Sequence, residues 1–125
     1  MGRVISISMV KNEADVIESF VRHTMSFVDI MLVADHSSTD KTPEILRRLR
    51  EEGLPLFVRR IYAAGYVQVE TMNALLCEAA VKQQADLILP LDADEFLLPG
   101  KGAGSCRAIV RQLDPGSLYW LPWRL

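Results

Sequence analysis

The sequence predicts an α/β fold, a three-layer sandwich with a mainly parallel sheet between two layers of helices. Three observations predict it. Short runs rich in Val, Ile and Leu alternate with longer segments whose apolar residues recur at helical spacing, the pattern of strands joined by helical crossovers. The run 87–91 is apolar throughout, as a strand covered on both faces must be, and it stops at the carboxylates of Asp92, Asp94 and Glu95. Each polar cluster that breaks the apolar pattern, at 11–13, 35–40 and 92–95, follows a predicted strand. In a parallel sheet such clusters share the carboxyl edge, where open α/β sheets bind their ligands.

The elements follow in order. Residues 3–10, rich in Val, Ile and Ser, form the first strand. From Ala14 to about Phe27, Val16, Ile17, Phe20, Val21, Thr24 and Met25 recur near helical spacing and predict an amphipathic helix. His23 has no second His or Cys at ligand spacing and reads as structural or surface. Residues 29–34 form the second strand and 35–40 a polar turn. Thr42 is placed as an N-cap, with Pro43 at the first helical position, Glu44 in the first turn and Gly53 closing the helix after Glu52. Residues 54–60 predict a third strand, 67–84 a long helix with a broad apolar face, and 87–92 the strand that ends in carboxylates. Beyond it come a short strand at 96–98, a glycine-rich linker at 99–104, a helix at 105–113, a turn at 114–116 and a last strand at 118–123. The linker matches neither a Walker A pattern nor a dinucleotide fingerprint.

Composition bounds the function. The chain has 125 residues, half of them apolar, enough for one compact domain at 1–125. Fourteen basic and sixteen acidic side chains give a net charge of -2, so no overall field draws the chain to nucleic acid or to an anionic membrane. No apolar run is long enough to span a bilayer. Cys77 and Cys106 stand far apart in no framework, which predicts free thiols and a cytoplasmic setting.

Asp92 and Asp94 carry the clearest chemistry. Side chains two apart on an extended backbone point the same way, so the two carboxylates can converge while Ala93 points away. Converging like charges are costly unless a cation lies between them, and oxygen-only ligands suit hard ions such as Mg²⁺, Mn²⁺ or Ca²⁺. This reading is a metal-bridged phosphate site. The plainer one is a solvated acidic turn capping a strand, which is the commoner outcome for an isolated Asp-x-Asp.

With all three clusters in view, the chain resembles the front half of a family 2 type glycosyltransferase with the GT-A fold. Residues 9–13 (Met-Val-Lys-Asn-Glu) resemble that family's first strand end, 35–40 (Asp-His-Ser-Ser-Thr-Asp) its Asp-x-x-Ser-Thr-Asp turn, and 91–96 its metal-binding Asp-x-Asp. The resemblance implies a site for a nucleotide-diphosphate sugar, with a UDP-sugar favoured. Glu13 and Asp35 would contact the nucleoside, Asp92 would lie beside the ribose and metal, and Asp94 would coordinate a Mn²⁺ or Mg²⁺ that also binds the diphosphate. Gln68 and Asn73 resemble positions facing the nucleotide. His36 stands where the family usually has Asn or Asp, and reads either as base-stacking or as an exposed turn residue. The resemblance also implies an acceptor-binding half, carrying the catalytic base for inverting transfer, beyond Leu125. The expectation is therefore a truncated donor half that keeps nucleotide binding, lacks its own base and self-associates through exposed Trp120 and Trp123.

Three other readings compete. A haloacid-dehalogenase-type phosphatase also ends a strand in Asp-x-Asp, but it needs acidic and basic partners downstream, where Asp114 is the sole acid after Glu95. A non-catalytic nucleotide-binding module would use the same edge without turnover. A purely structural α/β domain would use the carboxylates only to cap strands.

Overall fold

The computed structural model describes residues 2–62, 65 and 67–120. Its core is a four-stranded sheet in the order β3-β2-β1-β4, with β1 at Val4–Val10, β2 at Ile30–His36, β3 at Leu56–Ile61 and β4 at Leu87–Pro90. All three pairings are parallel, with Ile5 opposite Ile30, Met31 opposite Leu56 and Val4 opposite Leu87. The expected α/β fold is present, and the described sheet is wholly rather than mainly parallel.

Helices cover both faces. α1 (Ile17–Met25) turns Ile17, Phe20, Val21 and Thr24 inward, and α2 (Thr42–Glu51) turns in Thr42, Leu46 and Leu49. These helices and α4 (Cys106–Arg111) pack in one layer against Val4, Val10, Met31, Val33, Leu56 and Leu89. α3 (Gln68–Cys77) lies on the other face, with Leu75 and the following Ala79 against Ile5, Ile7, Leu32 and Ala34. Two helix layers on one sheet are what right-handed crossovers impose when the chain steps outward from β1 to β3 and then returns to the far side of β1 as β4.

Several boundaries differ from expectation for local reasons. β2 continues through Asp35 and His36, which pair with Arg60 and Ile61, so the polar turn begins at Ser37, where φ is 53°. α1 starts at Ile17 because Val16 and Ile17 donate to the Glu13 carbonyl in a preceding turn, at 3.0 and 2.8 Å. Lys41, not Thr42, occupies the N-cap of α2, and Thr42 is the first helical residue. Gly53 follows that helix at φ 96°, a conformation open to glycine. β3 starts at Leu56 rather than 54. α3 gives way at Glu78 to a π-helical turn through Lys82, a wider winding rarely seen in long runs.

β4 ends at Pro90, so Asp92 stands just past the strand rather than on it. No strand forms at 96–98; Phe96 instead packs edge-on against Phe20, with ring centroids 6.2 Å apart. α4 is capped by Ser105, whose Oγ accepts from the Ala108 amide at 3.1 Å. Of the strand expected at 118–123, residues 118–120 are irregular and exposed, and 121–123, with Trp123, lie outside the described residues.

Candidate functional site

The strand order reverses beside β1. From β1 the chain steps one way to β2 and β3, then returns to place β4 on the other side, so the loops leaving β1 and β4 flank the switch point, where sheets of this class form a ligand crevice at the carboxyl edge. Glu13 leaves β1 on one side of that crevice, and Asp92 and Asp94 leave β4 on the other.

Glu13 is half-buried, and its carboxyl is pushed above the usual glutamate range. Burial is the first cause, followed by the charges of Asp94, Asp15, Asp40 and Asp92. Charges from the 35–40 and 92–95 clusters thus both bear on Glu13 of the first. Asp92 and Asp94 are exposed while Ala93 between them is buried, but residues 93 and 94 form a turn rather than the extended tip expected. Glu95, grouped with them in the sequence, turns back on its own loop instead. Its Oε1 accepts from the Asp92 amide at 2.8 Å and its own amide donates to the Asp92 carbonyl at 2.9 Å. It closes the turn that presents the aspartates.

The loops after β1 and β2 are fastened together. The consecutive amides of Asn12, Glu13 and Ala14 donate to Ser38 Oγ, Thr42 Oγ1 and Asp40 Oδ2 at 2.9, 2.9 and 3.1 Å. In return, Asn12 Oδ1 accepts from the Thr39 and Asp40 amides at 2.8 and 3.3 Å. Asp40 Oδ1 accepts from the Thr42 amide at 2.9 Å; the Asp40 carboxyl is held below the usual aspartate range, chiefly by the Thr42 side-chain hydroxyl and then, against some burial, by the Thr42 and Ala14 amides. Ser38, Thr39 and Asp40 therefore build the loop junction. Sequence reading placed the whole polar turn at the ligand edge and missed this junction, because no spacing rule pairs the two loops.

Asp35 is completely buried near the end of β2. Its Oδ1 accepts from the Ser38 amide at 3.2 Å, and Arg60 on β3 brings Nε to 3.7 Å from Oδ2. Arg60 also donates to the Ser38 carbonyl at 3.3 Å and lies over the Tyr62 ring. His36 is 5% exposed, so the reading as an exposed turn histidine does not hold. Gln68 opens α3 half-buried and Asn73 is exposed further along it, on the helix covering the opposite face of the sheet from α1 and α2. His23 is structural: its Nε2 donates to the Leu97 carbonyl at 2.6 Å and its ring lies against Phe27 and Phe96, which ties the segment after Asp94 to α1.

Among the described residues, no three His, Cys, Asp or Glu side chains are grouped closely enough to hold a metal ion by themselves. Asp92 and Asp94 remain an oxygen-only pair of the kind that holds Mg²⁺ or Mn²⁺ together with water and phosphate oxygens.

Open parallel α/β sheets with a switch point at their carboxyl edge form a broad class that binds ligands there. Within that class the chain has a glycosyltransferase-like fold. Among solved structures 12 chains match it, one being the mannosyltransferase PcManGT from Pyrobaculum calidifontis in complex with GDP-Man and Mn²⁺. That match has a TM-score of 0.60 and 26% sequence identity and covers 79% of this chain and 29% of the mannosyltransferase chain. The chain thus spans less than a third of that enzyme's length. No family model matches the sequence, and no curated protein does.

Proposed function

We propose that residues 1–125 form a single domain, the donor-binding half of a longer glycosyltransferase of the family 2 type with the GT-A fold. It binds a nucleotide-diphosphate sugar at the crevice between β1 and β4, for inverting transfer to an acceptor whose binding residues and catalytic base lie outside this sequence. The observation that carries the reading is the position of Glu13 after β1 and of Asp92 and Asp94 after β4, the two strands that flank the strand-order switch. The fold it shares with a mannosyltransferase bound to GDP-Man and Mn²⁺ supports it from a second side.

Each side chain has a role in this reading. Glu13 and Asp35 contact the nucleoside, Asp35 through its buried Oδ2. Asp92 lies beside the ribose, and Asp94 with Asp92 holds Mn²⁺ or Mg²⁺. When bound, the ion supplies positive charge to the diphosphate as the sugar leaves. Gln68 and Asn73 line the nucleotide from α3. The exposed Leu118 and Trp120, with Tyr119 between them, provide a surface for self-association.

Calorimetric titration with UDP and with GDP, each with and without Mn²⁺, tests the reading on the native chain and on Asp94→Asn. Binding that requires the ion and is lost in the variant supports it. A folded chain that binds neither nucleotide refutes it, and binding that persists without metal and in Asp94→Asn reduces the site to a metal-independent nucleotide module.

A further inference from the structure

We infer that Asn12 is a positioning residue for the strand-tip site: its side chain ties the loop after β1 to the loop after β2 and thereby holds Glu13 at the crevice. The part of this inference that concerns nucleotide binding rests on the donor-site reading; the part that concerns the position of Glu13 does not.

The junction has a direction. Three successive amides of the first loop, those of Asn12, Glu13 and Ala14, donate to side chains of the second. The Asn12 side chain returns the contact, accepting from the amides of Thr39 and Asp40 and, at 3.4 Å, from the Thr39 hydroxyl. The acceptor that holds Ala14, Asp40 Oδ2, sits on the segment whose amides Asn12 binds, and the one that holds Glu13, Thr42 Oγ1, stands two residues further on at the start of α2, its amide bonded to Asp40 Oδ1. Releasing that segment therefore releases Glu13, although Asn12 never touches the Glu13 carboxylate. The backbone favours the same residue type. Asn12 has φ 52°, a left-handed conformation that asparagine adopts more readily than other non-glycine residues, and this turn aims its amide and its side chain at the same partner loop.

The backbone and side-chain contributions separate by substitution. Asn12→Gly keeps the left-handed conformation and removes the acceptor; Asn12→Asp keeps an acceptor oxygen at the same place. Amide exchange should show at least a tenfold loss of protection at Thr39 and Asp40 in Asn12→Gly, and an equal loss at Glu13 and Ala14, whose amides Asn12 does not contact. Asn12→Asp should return all four to within threefold of the native chain. Affinity for GDP or UDP with Mn²⁺ should follow the same pattern, weaker by tenfold or more in Asn12→Gly and recovered in Asn12→Asp.

Retained protection at Glu13 and Ala14 in Asn12→Gly overturns the inference, and so does an Asn12→Asp variant that behaves like Asn12→Gly. If the native chain binds neither nucleotide, the donor-site reading fails, and the exchange pattern at Glu13 and Ala14 still decides whether Asn12 positions them.

Discussion

Asp35 and Arg60 face each other in register on β2 and β3, the guanidinium Nε 3.7 Å from Asp35 Oδ2, yet that buried oxygen accepts no hydrogen bond from any described residue. A buried acceptor left without a donor is costly, so a ligand N–H reaching it gains more than it would at a solvated carboxylate. In the donor-site reading that N–H belongs to the nucleobase. Asp35→Asn should weaken nucleoside diphosphate binding by about tenfold to a hundredfold, or ~1.4–2.8 kcal/mol. Inorganic pyrophosphate with Mn²⁺, which has no base, should bind both chains equally. An equal loss for pyrophosphate would place the effect in the fold rather than at the base.

The carboxylates around Glu13 set a second prediction. Burial and the neighbouring charges raise the Glu13 pKa, so its protonated form is favoured in the folded chain. A raised acid contributes stability that is fully present below the ordinary glutamate value of 4.5 and is lost as pH rises through the folded value. Asp94→Asn removes the largest of the charge contributions. The Glu13 titration followed by NMR should then move down toward the ordinary value, and without ligand the variant should melt higher than the native chain at pH 7. As pH falls and Glu13 becomes protonated, the difference between the two melting temperatures should shrink. A Glu13 titration that does not move would separate the β1 and β4 tips.

At the opposite edge, Asp29 joins three parts of the chain. Its Oδ2 accepts from the Val4 amide at 2.8 Å and its Oδ1 from Arg111 of α4 at 2.6 Å, while Arg111 also donates to the Gly2 carbonyl at 2.6 Å. Burial pushes the Asp29 carboxyl up, but the Val4 amide and the Arg111 guanidinium outweigh it and leave the pKa below 3.8. A lowered acid contributes stability above the ordinary value, lost as pH falls through the folded value. Arg111→Ala should cost about 1–2 kcal/mol at pH 7, at the lower end for charged hydrogen bonds because both groups are partly solvated. The difference in melting temperature should shrink as pH falls below 3.8. A constant difference down to acid pH would assign the loss to α4 packing alone.

Much of this fold was legible because its signals are strong and local. The apolar run of β4 and the 3.6-residue spacing of Ile17, Phe20, Val21 and Thr24 each specify an element without reference to the rest of the chain. The common edge of the polar clusters follows from parallel strands alone. What could not be read was where each polar side chain spends its hydrogen bonds. Thr42 looks like an N-cap by position, but its hydroxyl serves the Glu13 amide across a sequence distance no local rule spans. Glu95 stands in sequence with the two aspartates as part of one carboxylate cluster and instead closes the Asp92 turn. Asp35 and His36 looked like loop because they are polar, whereas pairing with Arg60 and Ile61 keeps them in β2. The expected strand at 96–98 failed because Phe96 and Leu97 are held by contacts with α1, through Phe20 and His23.

The first strand offers a test in which one kind of substitution should act with opposite signs at two sites. Ser6 and Ser8 alternate with Ile5 and Ile7 along β1, are fully buried, and among the described residues their hydroxyls have no hydrogen-bond partner. The Ser38 hydroxyl, also buried, accepts from the Asn12 amide at 2.9 Å. A buried hydroxyl without a partner has lost its solvation and gained nothing in return, whereas a paired one leaves an orphaned donor when it is removed. Ser8→Ala should therefore be neutral or stabilising by up to about 1 kcal/mol, and Ser38→Ala should destabilise by about 1–2 kcal/mol. Urea unfolding of the two variants measures both signs, with an unchanged m-value showing that neither alters the compactness of the folded or unfolded chain. A loss at Ser8 as large as that at Ser38 would mean that its hydroxyl has a partner in solution and that the surroundings of β1 are more polar than their side chains indicate.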